Sequence, residues 1–133
     1  MKRRNTICLT FALVLAGCRE NSTPLNVFPE TAAGGWKRVS VHDAPASEGP
    51  DPVPRSGVTR FQSAVYEGPG KLEARAYELN SPAIGLDMTQ RWRPSADTVF
   101  FNQGKFFIVI KWEKADRAQL QDFVRDLEKR IPK

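Results

Sequence analysis

Apolar and polar residues alternate most regularly in KLEARAYEL, residues 71–79, where Leu72, Ala74 and Ala76 stand against Lys71, Glu73 and Arg75. VTRFQSAVY, residues 58–66, alternates in the same way, with Phe61, Ser63 and Val65 against Arg60, Gln62 and Ala64. A period of two is the signature of a half-buried strand, and the intervening EGPG supplies the turn, so the pair predicts an antiparallel hairpin solvated on one face. The charges on that face read most simply as a wet sheet surface. WKRVSVH, residues 36–42, offers Val39 and Val41 on one side and predicts a short preceding strand.

The period changes after Asn80. Ser81 suits an N-cap, Pro82 the first helical position and Pro94 a stop. At 100° per residue Ile84, Met88 and Trp92 share one side, which predicts a helix lying on the sheet through that stripe, with Leu86 off it. TVFF, NQGK and FFIVIKW (98–112) predict a second hairpin. Phe106, Ile108, Ile110 and Trp112 face one way and Phe107 and Val109 the other, so this strand is expected inside the sheet and covered on both faces. In the closing segment Leu120, Phe123, Val124, Leu127 and Ile131 form a helical stripe. Asp116 and Gln119 imitate a capping box at its start, and Lys129 and Arg130 suit its last turn. The order β-β-β-α-β-β-α predicts an α+β fold, an antiparallel sheet of about five strands with two helices.

Two stretches carry no sustained period. RENSTPLNVFPETAAGG, residues 19–35, is polar and turn-rich and reads as a tether, although its LNVF could dock on the domain. HDAPASEGPDPVPRSG, residues 42–57, holds prolines at 45, 50, 52 and 54 and predicts an extended loop, long for a compact domain.

The N-terminus is of another kind. Lys2, Arg3 and Arg4 precede the apolar run ICLTFALVLA, which is about ten residues long and too short to span a bilayer as a helix. Leu15-Ala16-Gly17-Cys18 closes it and resembles the lipobox of bacterial lipoproteins. That resemblance implies a signal peptide over residues 1–17, cleavage before Cys18, and lipidation of its thiol with palmitate-type acyl chains. The expected organisation is therefore leader 1–17, lipidated tether 18–35 and one α+β domain over 36–133. The expected location is the extracytoplasmic, periplasmic face of a membrane. Arg19 is not the aspartate that retains many such lipoproteins in an inner membrane, so outer-membrane sorting is expected in a host with two membranes.

Processing changes the composition. Removal of residues 1–17 leaves 116 of 133 residues, takes away three of the 20 basic residues and none of the 15 acidic ones, and lowers the formal charge from +5 to +2. A basic nucleic-acid footprint is thus not supported, and no nucleic-acid partner is expected. Cys8 leaves with the leader and Cys18 becomes a thioether, so the mature chain keeps no free thiol, disulfide or cysteine metal site.

Candidate chemistry is sparse. His42, the single histidine, stands beside Asp43 at the lip of the Pro-rich loop, with Glu48 and Asp51 further along. A hydrolase could use His42 with nearby carboxylates, and a metal would need all four to converge; a solvated loop histidine is the simpler reading. No G-x-S-x-G elbow or phosphate-binding glycine loop is present. Arg91 and Arg93 flank Trp92, a cluster that can bind an anionic or sugar-like ligand through charge and stacking. A core tryptophan between solvated arginines is the competing reading. No cofactor is expected.

GGWKR, SAVYEGPGKLEARAYEL, SPAIGLDMTQRWR and DTVFFNQGKFFIVIKW together resemble a group of bacterial lipoproteins whose domain has no assigned activity, over most of residues 34–131. The element order is also loosely similar to PsbP-type domains, which are accessory binding modules. These resemblances imply a non-catalytic binding or interaction module whose partner is an envelope protein or an anionic or sugar ligand. A cell-envelope enzyme built on His42 is the alternative.

Overall fold

The computed structural model describes residues 25–133; the leader, Cys18 and the first part of the tether lie outside the described residues. Eight regular elements follow one another. They are β1 (Thr31–Ala32), β2 (Trp36–Ala44), β3 (Val58–Glu67), β4 (Lys71–Leu79), α1 (Pro82–Arg91), β5 (Thr98–Gln103), β6 (Phe106–Lys114) and α2 (Arg117–Arg130). Single 3₁₀ turns at Ala46–Glu48 and Arg55–Gly57 punctuate the Pro-rich loop.

All neighbouring strands pair antiparallel, in the order β1-β2-β3-β4-β6-β5. The fold is α+β with two helices, but its sheet has six strands rather than about five, and β1 precedes the expected series. This strand pairs Thr31 with Lys37 and Ala32 with Trp36 across a turn in which Gly34 and Gly35 take φ of 94° and 84°. Those are angles that glycine adopts without the Cβ clash other residues meet. Two residues are too few for alternation to be seen in the sequence.

The sheet separates two apolar layers. On one face α2 packs over Ala64, Tyr66, Leu72, Ala74, Ile108 and Ile110, with Trp36 sealing the edge. Three of the strand residues below the helix carry small side chains (Ala64, Ala74 and Ala76), which leaves room for Phe123 and Leu127 to reach the sheet. On the other face α1 and the Pro-rich loop cover Phe61, Tyr77, Leu79, Phe107 and Val109, and Val53 of the loop is buried there. β6 lies between β4 and β5, and Phe107, Ile108, Val109 and Ile110 are fully buried. The two-sided apolar pattern of FFIVIKW thus describes an interior strand.

Three expectations need correction. In β3 the side chains buried under α2 are Gln62, Ala64 and Tyr66, while Phe61 is buried on the opposite face and Ser63 and Val65 are half-buried. The face of β4 expected to be wet is dry along part of its length, because Arg75, Tyr77 and Leu79 lie beneath the Pro-rich loop and α1. The capping-box imitation at Asp116 also makes no side-chain cap bond, although Asp116 is the N-cap and its carbonyl accepts from Leu120 N–H.

Packed structure begins upstream of Trp36. Leu25, Val27, Phe28 and Ala32 join the α2-side core. Gln62 Nε2 donates to Leu25 O at 2.8 Å, Tyr66 Oη to Pro29 O at 2.6 Å, and Arg38 Nη1 to Phe28 O at 2.7 Å. LNVF therefore docks, held by burial, by two side-chain donors that reach its carbonyls and by a third that reaches Pro29 just after it.

Asp126 ties α2 to the same edge. Its Oδ2 accepts from Ala33 N–H at 2.9 Å and its Oδ1 from Arg130 Nε at 3.1 Å. Burial alone would raise the carboxyl's pKa, but the Ala33 hydrogen bond and the Arg130 guanidinium, with Lys129 adding its charge, hold it below the ordinary value. A depressed carboxyl stabilises the fold above its unfolded pKa, and this contribution disappears as pH falls through the folded one. Asp126→Asn should thus melt lower than wild type at neutral pH. The difference should begin to narrow near about pH 4, where the ordinary aspartate protonates, and close only below the lower folded value; a gap that stays constant in acid would assign the loss to something other than the charge.

Candidate functional site

A groove lies where α2 diverges from the β5 edge of the sheet. The first turn of α2 is drawn toward β2 by Trp36 Nε1, which donates to Gln119 O at 3.0 Å, and its later part toward the β1–β2 turn by the Ala33–Asp126 bond. Its C-terminal end is held at β5, where Gln103 Nε2 donates to Glu128 O and Ile131 O. Between these fastenings a groove of about 700 Å³ remains. Val99, Trp112, Leu120 and Val124 form its apolar floor, and Arg117 and Arg125 stand on its rim, with Glu128 at one end. Both arginines are exposed, and among the described residues neither makes an ion pair. Apolar floor and cationic rim together suit a ligand or peptide segment with an apolar body and an anionic group.

The sequence-derived candidates are scattered. His42 is exposed on β2 and pairs in register with Ser63 of β3, so their side chains share one open face of the sheet. Asp43, the next residue along an extended strand, points to the opposite face and accepts a hydrogen bond from Gln62 Nε2 at 2.9 Å. Glu48 is exposed in the 3₁₀ turn. Asp51 turns inward instead. Among the described residues no three histidine, cysteine, aspartate or glutamate side chains gather around one point.

Asp51 belongs to a cluster that sequence reading passed over. Its Oδ1 accepts from Arg75 Nη2 at 3.1 Å, its Oδ2 lies 2.9 Å from Arg75 Nε, and Tyr77 Oη donates to Oδ2 at 2.7 Å. The Asp51 and Arg75 side chains are only 6% and 11% exposed. Burial and the bond to Asp51 push the Tyr77 phenol well above its usual pKa, so it remains a donor. Arg75 Nη2 and Tyr77 Oη are engaged by Asp51, while Arg75 Nε approaches the carboxylate without hydrogen-bond geometry, and the ion pair makes the cluster a fastening of the Pro-rich loop onto β4. The alternation of β4 marked Arg75 as outward-facing; only its fit to an acidic residue in the loop could have signalled the pair.

Trp92 ends α1 and stacks on Phe100 with ring centroids 4.9 Å apart, then meets Phe107 at 5.8 Å. One face of the indole is thus committed to the α1-side core, and the residue is half-buried. Arg91 is exposed and pairs with Asp87 one turn earlier at 3.0 Å, while Arg93 donates to the carbonyls of Gln90 and Trp92. Both arginines remain exposed on either side of Trp92 in the chain.

Compared with protein-family models, with curated proteins and with solved structures, the chain matches none.

Proposed function

We propose that the protein is a lipid-anchored, extracytoplasmic binding module of the bacterial cell envelope that performs no chemistry itself. In this reading the groove between α2 and the β5–β6 hairpin receives an anionic, partly apolar ligand or partner segment. The groove carries it: an apolar floor containing the half-buried Trp112, under two arginines that no carboxylate pairs with among the described residues. The leader and the LAGC sequence ending at Cys18 support the anchor. Among the described residues no helix is long and apolar enough to cross a membrane, so acyl chains on Cys18 would provide the attachment. Arg91 and Arg93 beside Trp92 form a second, smaller cationic surface for an anionic or sugar ligand. The enzyme reading rests on His42 opposite Ser63, but that pair lies on open sheet and Asp43 points to the other face.

The anchor and the groove are tested separately. Wild type should fractionate with membranes and take up labelled fatty acid, and Cys18→Ser should do neither; equal labelling would sink the anchor. For the groove, dodecyl phosphate below its micellar concentration should perturb the fluorescence of Trp112, assigned by its loss in Trp112→Phe. Arg117→Ala with Arg125→Ala should weaken that binding at least tenfold, since a hydrogen bond to a charged group contributes about 1.5–3 kcal/mol. His42→Ala and Arg91→Ala with Arg93→Ala should leave it unchanged. Equal affinity of the Arg117/Arg125 variant would remove the groove from the reading, and loss of cellular function in a folded, anchored His42→Ala would favour the enzyme.

A further inference from the structure

The sheet has two edges, and they are finished differently. At the β2 edge the short β1 pairs with Trp36 and Lys37, and Glu30 O accepts from Arg38 N–H at 2.8 Å. The pairing of β2 with β3 is then irregular between Arg38 and Ser40, and Lys37, Arg38 and Asp43 put charge along the strand. Short cover, irregular register and charge all keep an edge from pairing with another chain. β5, the opposite edge, has none of them. Its sequence TVFFNQ holds no charged residue and no proline, its register with β6 is regular, and Val99, Phe100 and Phe101 are only half-buried.

The hydrogen bonds on either side of β6 fix which groups that edge presents. Trp112 N–H donates to Asp97 O at 3.0 Å, and Leu79 N–H donates to Lys105 O at 2.6 Å. Both bonds continue the strand registers. Val99, Phe101 and Gln103 therefore exchange bonds with β6, while Thr98, Phe100 and Asn102 turn their N–H and C=O groups outward. Thr98 N–H donates to Ser95 O, but the outward groups of Phe100 and Asn102 have no partner among the described residues. A row of such groups is matched by the backbone of another extended chain.

We infer that the partner of the groove is an extended segment of another polypeptide, which adds to β5 as a seventh strand and drops every second side chain into the groove. This rests on the groove being the binding site. A strand seated about 4.8 Å beyond β5 sets alternate residues beside Val99 and Phe101, which pack on the α2 side, and the others beside Phe100, which packs on the α1 side. The first set meets the groove floor and its arginines. Arg117 and Arg125 lie two turns apart on α2, about 12 Å along its axis. That is close to the span of about 13 Å between residues i and i+4 of a strand. Two acidic residues with an apolar one midway between them thus match rim and floor. Glu128 follows Arg125 along the groove, so a further acidic residue at that end is disfavoured.

The test uses the full chain on phosphatidylcholine vesicles and a capped peptide, Thr-Glu-Thr-Leu-Thr-Glu-Thr, whose binding is read by the fluorescence of Trp112. The peptide should bind, and Arg117→Ala with Arg125→Ala should weaken it about tenfold or more. N-methylation of every second peptide amide then separates a strand from any other pose. In a strand one alternate set of amides faces β5 and the other faces solvent, so methylating one set should abolish binding and methylating the other should leave it unchanged. Asn102→Pro removes an outward N–H that β6 does not use. That variant should keep its circular-dichroism spectrum and its affinity for dodecyl phosphate, yet lose about tenfold in affinity for the peptide. Equal effects of the two methylation patterns, or binding of dodecyl phosphate without the peptide, overturn strand addition and leave the groove reading standing. Failure of both ligands removes the groove reading and this inference with it. A wild-type chain that sediments as a dimer, and as a monomer after Asn102→Pro, gives the edge to a second copy and overturns the partner segment.

Discussion

Asp51→Ala should destabilise the protein by about 3–5 kcal/mol, the cost of leaving a buried charge without its counter-ion. The carboxylate joins Arg75 and Tyr77 in a site where Asp51 is 6% exposed, so water can replace little of what is lost. Arg75 would retain only Glu73, 3.4 Å away at a much more exposed position. The Pro-rich loop would lose its side-chain fastening to β4, and Val53 its guide into the α1-side core. Adding Arg75→Met should recover part of the deficit, because a paired charge removed together with its partner leaves nothing unsatisfied. Urea denaturation of the two single variants and the double variant reads this directly. Additive losses, or an Asp51→Ala change below about 1 kcal/mol, would mean that the pair does not hold the loop.

Ile110→Ala should cost about 2–5 kcal/mol, and Ile108→Ala a similar amount, as large-to-small changes in a packed core do. Both side chains are fully buried in an interior strand, with Ala74 and Ala76 of β4 as their register partners and α2 above them. The small neighbours cannot fill the cavity, which argues for the upper part of the range. Against a total stability of about 5–15 kcal/mol this is a substantial fraction. Val39→Ala, also in a strand but 58% exposed at the irregularity between Arg38 and Ser40, should change stability by about 0.5 kcal/mol or less. Thermal melts that fail to separate Ile110→Ala from Val39→Ala would place β6 outside the core.

The groove and the Asp51 cluster differ in how visible they are before folding. The residues of the groove floor belong to stripes already legible as apolar, Leu120 and Val124 on α2 and Trp112 on β6. What makes a groove of them is the angle of α2, set by Trp36 and Gln103 at sequence separations of 83 and 25–28 residues. The split between His42 and Asp43 follows from the period of two once β2 is known to run through Ala44, past the point where the prolines suggest that the strand ends.

The sequence by itself determined the interior strand β6, the α2 stripe, both helices, the two main hairpins and the antiparallel α+β class. Each is written in residues a few positions apart, where period, caps and turn glycines act locally. Only the tertiary structure decided that Leu25–Phe28 belongs to the core, that a two-residue β1 forms, that Arg75 is buried under Asp51, and that α2 leaves a groove beside β5. Gln62, Tyr66 and Arg38 reach the leading segment across 10 to 37 residues, and Asp51 reaches Arg75 across 24. A side chain's hydrogen-bond partner over such distances is chosen by how the layers stack, and no local period records that choice.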